Sequence, residues 1–192
     1  MTLSYFVIAS AAKQSRCRHN DKMKKLNFKD IEILVFDVDG ILTDGKIYLS
    51  ENGVETKTFF AHDGAGMKLA KKLGLKIGMI SARTSNAASI RAKELGADFY
   101  IEGCKEKYNA LKPLLKEYNI GVKNLFYMGD DIVDIELLKL AAVSATVPNA
   151  PEYVKICADI VTVKAGGCGA VREVCDTILQ EKGLLTNFLN KL

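Results

Sequence analysis

Residues 36–45 read FDVDGILTDG, and they follow the apolar run Ile33-Leu34-Val35. Three carboxylates, Asp37, Asp39 and Asp44, crowd the end of that run. A short apolar run bounded by turn residues reads as a buried strand. The acids therefore sit at a strand mouth, where like charges repel and burial disfavours ionisation. Something elsewhere in the chain has to offset that cost.

Outward from this segment, short apolar runs alternate with helical patterns. Residues 31–36 (IEILVF), 75–81 (LKIGMIS), 97–102 (ADFYIE), 124–128 (NLFYM), 143–147 (VSATV) and 159–163 (DIVTV) are predicted strands. Helices are predicted over 63–74, opened by Asp63 and stopped by Gly74, and over 84–95, capped by Thr84 or Ser85 and followed by Gly96. Further helices are predicted over 105–118, from Asp131 to about Leu140, near 150–157 and over 169–181. KIYLS and VETKTFF flank Glu51-Asn52-Gly53, a hairpin signal. Near-continuous apolar strands alternating with helices predict an α/β fold on a doubly wound parallel sheet.

Ligands of such sheets sit beyond the carboxyl ends of the strands. Asp37 and Asp39 follow the first strand, and Ser81 and Arg83 the second. Lys107 lies near the start of the helix after the third, and Gly129, Asp130, Asp131 and Asp134 follow the fourth. Each has an ordinary alternative: Asp39-Gly40 as a turn, Ser81 as a helix cap, Lys107 as a solvated lysine, Asp131 as an N-cap. Their convergence on one sheet edge favours a shared site.

The residue types suit phosphoryl transfer. Mg2+ takes oxygen ligands, commonly one or two carboxylates with waters and a substrate phosphate. Asp37 and Asp130, on different strand ends, can hold it from two sides, with a main-chain carbonyl of the Asp37–Asp39 turn as a third ligand. Gly40 lets the chain bend there. A carboxylate beside such a metal can attack phosphorus. A second carboxylate two residues on can protonate the leaving alcohol and then take a proton from water. That divides the work between Asp37 and Asp39, with Ser81 and Lys107 clamping the phosphoryl oxygens.

The bulk properties narrow the class. The chain has 192 residues and a formal charge of +4. Residues 1–25 hold six bases and one acid, which leaves the remainder at −1. The basic character thus belongs to the N-terminal segment, and nucleic-acid binding is not expected. No run reaches the roughly 18 apolar residues of a membrane helix. In the N-terminal segment the apolar stretch precedes the bases, the reverse of a secretory signal. An organelle transit peptide fits, but the preferred reading is that translation starts at Met23, with 1–22 as upstream sequence or a disordered extension. Cys17, Cys104, Cys157, Cys168 and Cys175 form no CxxC pair, which suggests reduced thiols in a cytoplasmic protein. The expected organisation is an extension over 1–25, a catalytic domain over 26–182 and a tail over 183–192 with no evident partner.

DVDGILT, ISAR, Lys107 and GDDIVD resemble, in order, the four motifs of the haloacid-dehalogenase-like phosphohydrolases. Within that superfamily the chain is similar to the 3-deoxy-D-manno-octulosonate 8-phosphate phosphatases from about residue 30 to residue 181. FDVDGILTDGKIY, DGAGMK, PNAPEYVKICADIVT and GGCGAVREVCDTIL carry that closer likeness. The resemblance implies Asp37 as nucleophile and Asp39 as general acid and base, with Asp37, the Asp39 carbonyl and Asp130 around Mg2+. Ser81 and Lys107 would bind phosphate. Substrate contacts would fall on Asp39, Asp63, Gly64, Lys68, Arg83, Arg91 and Lys107, and Asp131 and Asp134 would support the ligands from behind.

Two positions depart from the pattern. Relatives commonly have Arg where His62 and Cys168 stand, so two guanidinium groups suited to an anionic sugar acid are missing. Phosphatases of nine-carbon ulosonate 9-phosphates resemble this group as well. Between Asp44 and the second strand only a hairpin and one helix fit, so the large lid domain of many superfamily members is absent. Ile47, Tyr48, Phe59 and Phe60 of the hairpin suit burial between subunits or over the chain's own core. The resemblance implies a homotetramer joined through the 46–60 hairpin, with adjacent chains completing each site. Two other classes share some of these features: a receiver domain, which also gathers acids and lysine at strand ends but usually with an adjacent acidic pair, and a non-enzymatic scaffold.

Overall fold

The computed structural model describes residues 26–191, and the extension expected over 1–25 lies outside them. Within the described residues six strands form one parallel sheet, in the order β5-β4-β1-β6-β7-β8. These are β1 (Ile33–Asp37), β4 (Lys76–Ile80), β5 (Phe99–Ile101), β6 (Leu125–Met128), β7 (Val143–Thr146) and β8 (Ile160–Val161). The central strands β1 and β6 are buried throughout, as strands covered on both faces require. The chain steps from β1 outward to β4 and β5, then returns past β1 to β6 and continues to β8. The direction of winding therefore reverses beside β1, the place where open α/β sheets bind ligands.

Right-handed crossovers put helices on both faces. α1 (Ala61–Lys72), α2 (Asn86–Leu95) and the later α6 (Ala170–Glu181) form one layer, with α1 packed along α6. α3 (Lys107–Glu117) and α4 (Ile135–Leu140) pack together in the other, and α5 (Glu152–Lys155) leads into β8. Ser85, not Thr84, caps α2, accepting from the Ala88 N–H at 3.4 Å. Gly96 ends it in the left-handed conformation, as expected.

Several boundaries differ from the sequence expectation. α1 starts at Ala61, two residues before Asp63, and the Asp63 carboxylate accepts instead from the Arg172 N–H of another helix. The acidic turn after β6 begins as a 3-10 turn over Ile132–Asp134 before α4 proper. The hairpin ladder shrinks to β2 (Tyr48–Leu49) against β3 (Glu55–Thr56). The predicted partnerless end of the chain forms α7 (Leu184–Leu189), which packs on α6. Leu184 and Leu185 touch the core, and the Lys72 ammonium stands 4.9 Å from the Phe188 ring centre. Among the described residues no helix is long and apolar enough to cross a membrane.

Candidate active site

Asp37 closes β1, and its neighbour β6 delivers Gly129 and Asp130 one and two residues beyond Met128. After Asp37 the chain makes a wide turn over Val38–Leu42, with Gly40 at φ +85°. Thr43 builds that turn: its Oγ1 accepts from the N–H groups of Gly40 and Gly45, each at 3.2 Å. Gly40 has a second constraint, since a Cβ there would run into the Asp130 carboxylate. Glycine thus permits the bend and lets Asp130 press against the Asp39–Gly40 backbone. Gly166 and Gly167 lock the turn from outside. A Cβ on either would meet the backbone of residues 40–44, and the Gly167 N–H donates to the Ile41 carbonyl at 2.9 Å.

Lys107 opens α3 and is 1% exposed. Its Nζ donates to Asp37 Oδ1 and to Asp134 Oδ1, both at 2.6 Å. Asp134 is saturated. Its Oδ1 also accepts from the Tyr127 hydroxyl at 2.5 Å, and its Oδ2 accepts from the N–H groups of Asp130 at 3.0 Å and Asp131 at 2.9 Å. Asp131 turns outward and caps the following turn through Ile132 N–H. Asp130 differs from both, because its Oδ1 is buried without a hydrogen-bond partner. Oxygens of Asp37, Asp130 and Asp134 lie within 4.8 Å of one another.

The electrostatics follow from this crowding. Burial, then the Asp134 charge, pushes Asp37 well above the usual carboxylate range, with Lys107 opposing. Burial with Asp134 and Asp131 raises Asp130 to about 7. Burial works against the Lys107 ammonium, yet Asp37 and Asp134 hold its pKa above the ordinary lysine value. Three carboxylates against one ammonium leave two negative charges uncompensated, the charge a divalent cation cancels. The donors are hard oxygens, and Asp130 Oδ1 is an acceptor with nothing to accept from. The set fits Mg2+.

Ser81 is buried beyond β4, and its Oγ stands 3.5 Å from Asp39 Oδ2. Asp39 itself turns away from the carboxylate cluster and pairs through Oδ1 with Lys57. Asp44 stays at the surface, accepting from Lys46 N–H and the Tyr48 hydroxyl, and so launches the hairpin.

These positions match a known family. A model described as haloacid dehalogenase-like hydrolase matches residues 68–173. The 3-deoxy-D-manno-octulosonate 8-phosphate phosphatase KdsC of Escherichia coli K12 is 37% identical over 157 residues, covering 82% of this chain and 84% of that protein. The chain belongs to the haloacid dehalogenase-like hydrolase family. The hydrolase is also similar to a solved 3-deoxy-D-manno-octulosonate 8-phosphate phosphatase from Moraxella catarrhalis, described in complex with a magnesium ion, phosphate and KDO. That likeness has a TM-score of 0.83 at 38% identity, over 85% of this chain and 94% of the other. A cobalt-bound phosphatase of the same activity from Haemophilus influenzae has a TM-score of 0.78 at 35% identity, over 81% and 91%.

The remaining residues expected at the site of the hydrolase scatter. Arg83 lies beside Ser81, its N–H donating to Ser81 Oγ at 3.0 Å, but its guanidinium pairs with Glu55 of the hairpin. Asp63 is buried and caps α6 from α1, accepting from Arg172 N–H at 2.7 Å and Gly169 N–H at 3.3 Å. Its carboxylate ties α1 to the start of α6. Gly64 makes room for the Arg91 guanidinium, which pairs with Glu94 at 2.8 Å and lies over the Phe59 ring. Lys68 faces the same Glu94 at 4.0 Å. Lys68 and Arg91 therefore share the α1–α2 face and make no ion pair with the carboxylate cluster among the described residues. His62 and Cys168 are exposed.

Two residues of the site were not expected from the sequence. Tyr127, inside the apolar run of β6, carries a phenol that needs a buried partner, and that requirement was its signal. Lys57 was hidden in the hairpin, although strand alternation already puts it on one face with Glu55 and Phe59.

Proposed function

We propose that this chain is a Mg2+-dependent phosphatase that hydrolyses 3-deoxy-D-manno-octulosonate 8-phosphate to the free sugar acid and phosphate, a step in lipopolysaccharide precursor synthesis. The observation that carries the reading is the buried cluster of Asp37, Asp130 and Asp134 around Lys107, with Asp130 Oδ1 unpartnered.

In the mechanism, Lys107 binds one oxygen of Asp37 and orients the other for in-line attack on phosphorus. The new bond joins Asp37 to phosphorus, and the ester bond to the sugar breaks. Asp39 gives its proton to the leaving alkoxide. Asp39 then takes a proton from water as that water attacks the aspartyl-phosphate. Phosphate leaves, and the Asp37 carboxylate is regenerated. Ser81 donates to a phosphoryl oxygen, and Lys107 supplies positive charge beside it. Asp37, the Asp39 carbonyl and Asp130 would hold Mg2+, which supplies charge neutralisation at the phosphoryl group. Asp134 and Asp131 fix Asp130 and Lys107 in place.

A homotetramer formed through residues 46–60 is part of the reading. Ile47, Leu49 and Val54 stand exposed on the hairpin, while Phe59 packs on this chain's own core. Lys68, Arg91 and Gly64 would then serve the site of an adjacent subunit, since Lys68 and Arg91 pair with Glu94 and not with the carboxylate cluster. A cytoplasmic location is supported by the free thiols of Cys104, Cys168 and Cys175.

The test is phosphate release from 3-deoxy-D-manno-octulosonate 8-phosphate, nine-carbon ulosonate 9-phosphates and hexose phosphates, with Mg2+ and with chelator. The eight-carbon substrate is expected to lead by at least roughly tenfold in kcat/KM. Equal rates across the panel, or turnover that survives chelation, would refute the assignment. A solution mass well below a tetramer would remove the intersubunit part.

A further inference from the structure

The hairpin inverts the usual rule of burial. It exposes Ile47, Leu49 and Val54 at 57%, 64% and 63%, yet the Lys57 side chain is only 3% exposed. Lysine is almost never buried unless it is paired, and immobilising its long side chain costs rotamer entropy. Lys57 is paired twice. Its Nζ contacts Asp39 Oδ1 and stands 3.0 Å from Glu55 Oε1. The other Glu55 oxygen holds the Arg83 guanidinium. Asp39, Lys57, Glu55 and Arg83 thus form one charged chain running from the turn after β1, through β3, to the loop after β4.

The consequence lies in how Asp39 is aimed. With Oδ1 taken by Lys57, Oδ2 is the oxygen turned toward Ser81 Oγ, 3.5 Å away. Ser81 is the hydroxyl read above as a phosphate clamp, so the remaining oxygen of Asp39 faces the place where the ester oxygen and the hydrolytic water would come. Asp39 is otherwise only partly buried and borders a glycine at φ +85°. Left alone, such a side chain would sample several rotamers.

We propose that Lys57 is a positioning residue for phosphoryl transfer, holding the Asp39 carboxylate in the one orientation from which it serves as acid and base. Glu55 anchors Lys57 and Arg83 together. The hairpin is then a working part of the catalytic apparatus besides being a surface for association, and its attachment to the domain and the aim of Asp39 are a single event. The inference rests on Asp39 being the acid and base.

The experiment compares Lys57→Met, Lys57→Gln, Lys57→Arg and Asp39→Asn, each checked for fold by circular dichroism. Two substrates are used with Mg2+ present: 3-deoxy-D-manno-octulosonate 8-phosphate, whose alkoxide leaving group needs a proton, and 4-nitrophenyl phosphate, whose leaving group does not. Lys57→Met is expected to lower kcat for the sugar-acid phosphate roughly 10–100-fold, the range of a misaimed acid-base group, with KM changed less than about threefold. First-turnover release of 4-nitrophenolate should fall less than about threefold, and Lys57→Arg should restore most of kcat. Lys57→Gln replaces Met if that variant does not fold. Equal losses on both substrates would mean that Lys57 only pins the hairpin, and a change confined to KM would mean that it only binds substrate; either overturns the inference. If Asp39→Asn loses turnover while the Lys57 variants keep it, the positioning role alone fails. If Asp39→Asn keeps full turnover of the sugar-acid phosphate, the acid-base reading itself fails.

Discussion

Replacing Lys107 with Met removes one charge from the most crowded point of the molecule while preserving the length and apolar stem of the side chain. Lys107 is 1% exposed and lies 2.6 Å from both Asp37 and Asp134. At an effective dielectric of about 20, each contact corresponds to about 6 kcal/mol of gross Coulomb attraction. The net loss is smaller, because the freed carboxylates relax by taking up protons and because the ammonium no longer has to be desolvated. Breaking a buried pair by removing one partner costs roughly 3–5 kcal/mol, a large part of a total stability of about 5–15 kcal/mol. The assay is urea unfolding at pH 7.5 with chelator present. The loss should shrink as the pH is lowered, because burial and the Asp134 charge hold Asp37 well above the usual carboxylate range and so favour its protonated form in the native state. Lys107→Met/Asp134→Asn should recover at least about 1 kcal/mol, since one of the two charges that lost their cation is gone. A loss below about 1 kcal/mol for the single variant, or a double variant that loses the full sum of the two singles, would refute the account of Lys107 as the countercharge of the cluster.

Asp37→Asn is expected to reduce turnover by at least about a thousandfold with an unchanged circular dichroism spectrum, and Ser81→Ala by roughly 10–100-fold, because other donors remain; substantial turnover in Asp37→Asn would end its assignment as nucleophile. Asp130 is raised to about 7 in the folded chain from an ordinary 3.8. The native state therefore holds a proton that the unfolded chain releases between those values, so metal-free stability should fall as pH rises from 4 through 7, by roughly 4 kcal/mol at most. Mg2+ should reverse the fall above pH 7, and a thermal unfolding series with and without the ion checks both signs. Gly40→Ala places a methyl group against the Asp130 carboxylate at a φ of +85°, so calorimetric Mg2+ affinity should drop at least about tenfold; unchanged affinity would show that the close approach has no bearing on the metal.

Much of the site was legible because its residues stand at fixed distances from strong local signals. Asp37 and Asp39 follow an apolar run that reads as a buried strand, and GDDIVD follows another. Period and turn chemistry then put both at the same sheet edge. What misled was any residue whose role depends on a partner far away in the chain. Asp63 has the look of a helix opener, yet its acceptor capacity is used by N–H groups more than a hundred residues later. The final helix has too little periodicity to announce itself, and the fold supplies the α6 surface on which it packs. Lys57 carries no local signal, and its role appears only when the fold sets it between Asp39 and Glu55.

The sequence by itself determined the sheet, the order of its strands in the chain, and the acids at their ends, because strand burial and glycine-marked turns are local properties of neighbouring residues. Only the tertiary structure decided how those acids divide their work. Asp134 is spent on Lys107, Tyr127 and two N–H groups, Asp130 is left with an unpartnered oxygen against Gly40, and Asp39 is turned toward Lys57. Identical carboxylates differ only in what surrounds them, and those surroundings come from strands, loops and a hairpin that the chain brings together only on folding.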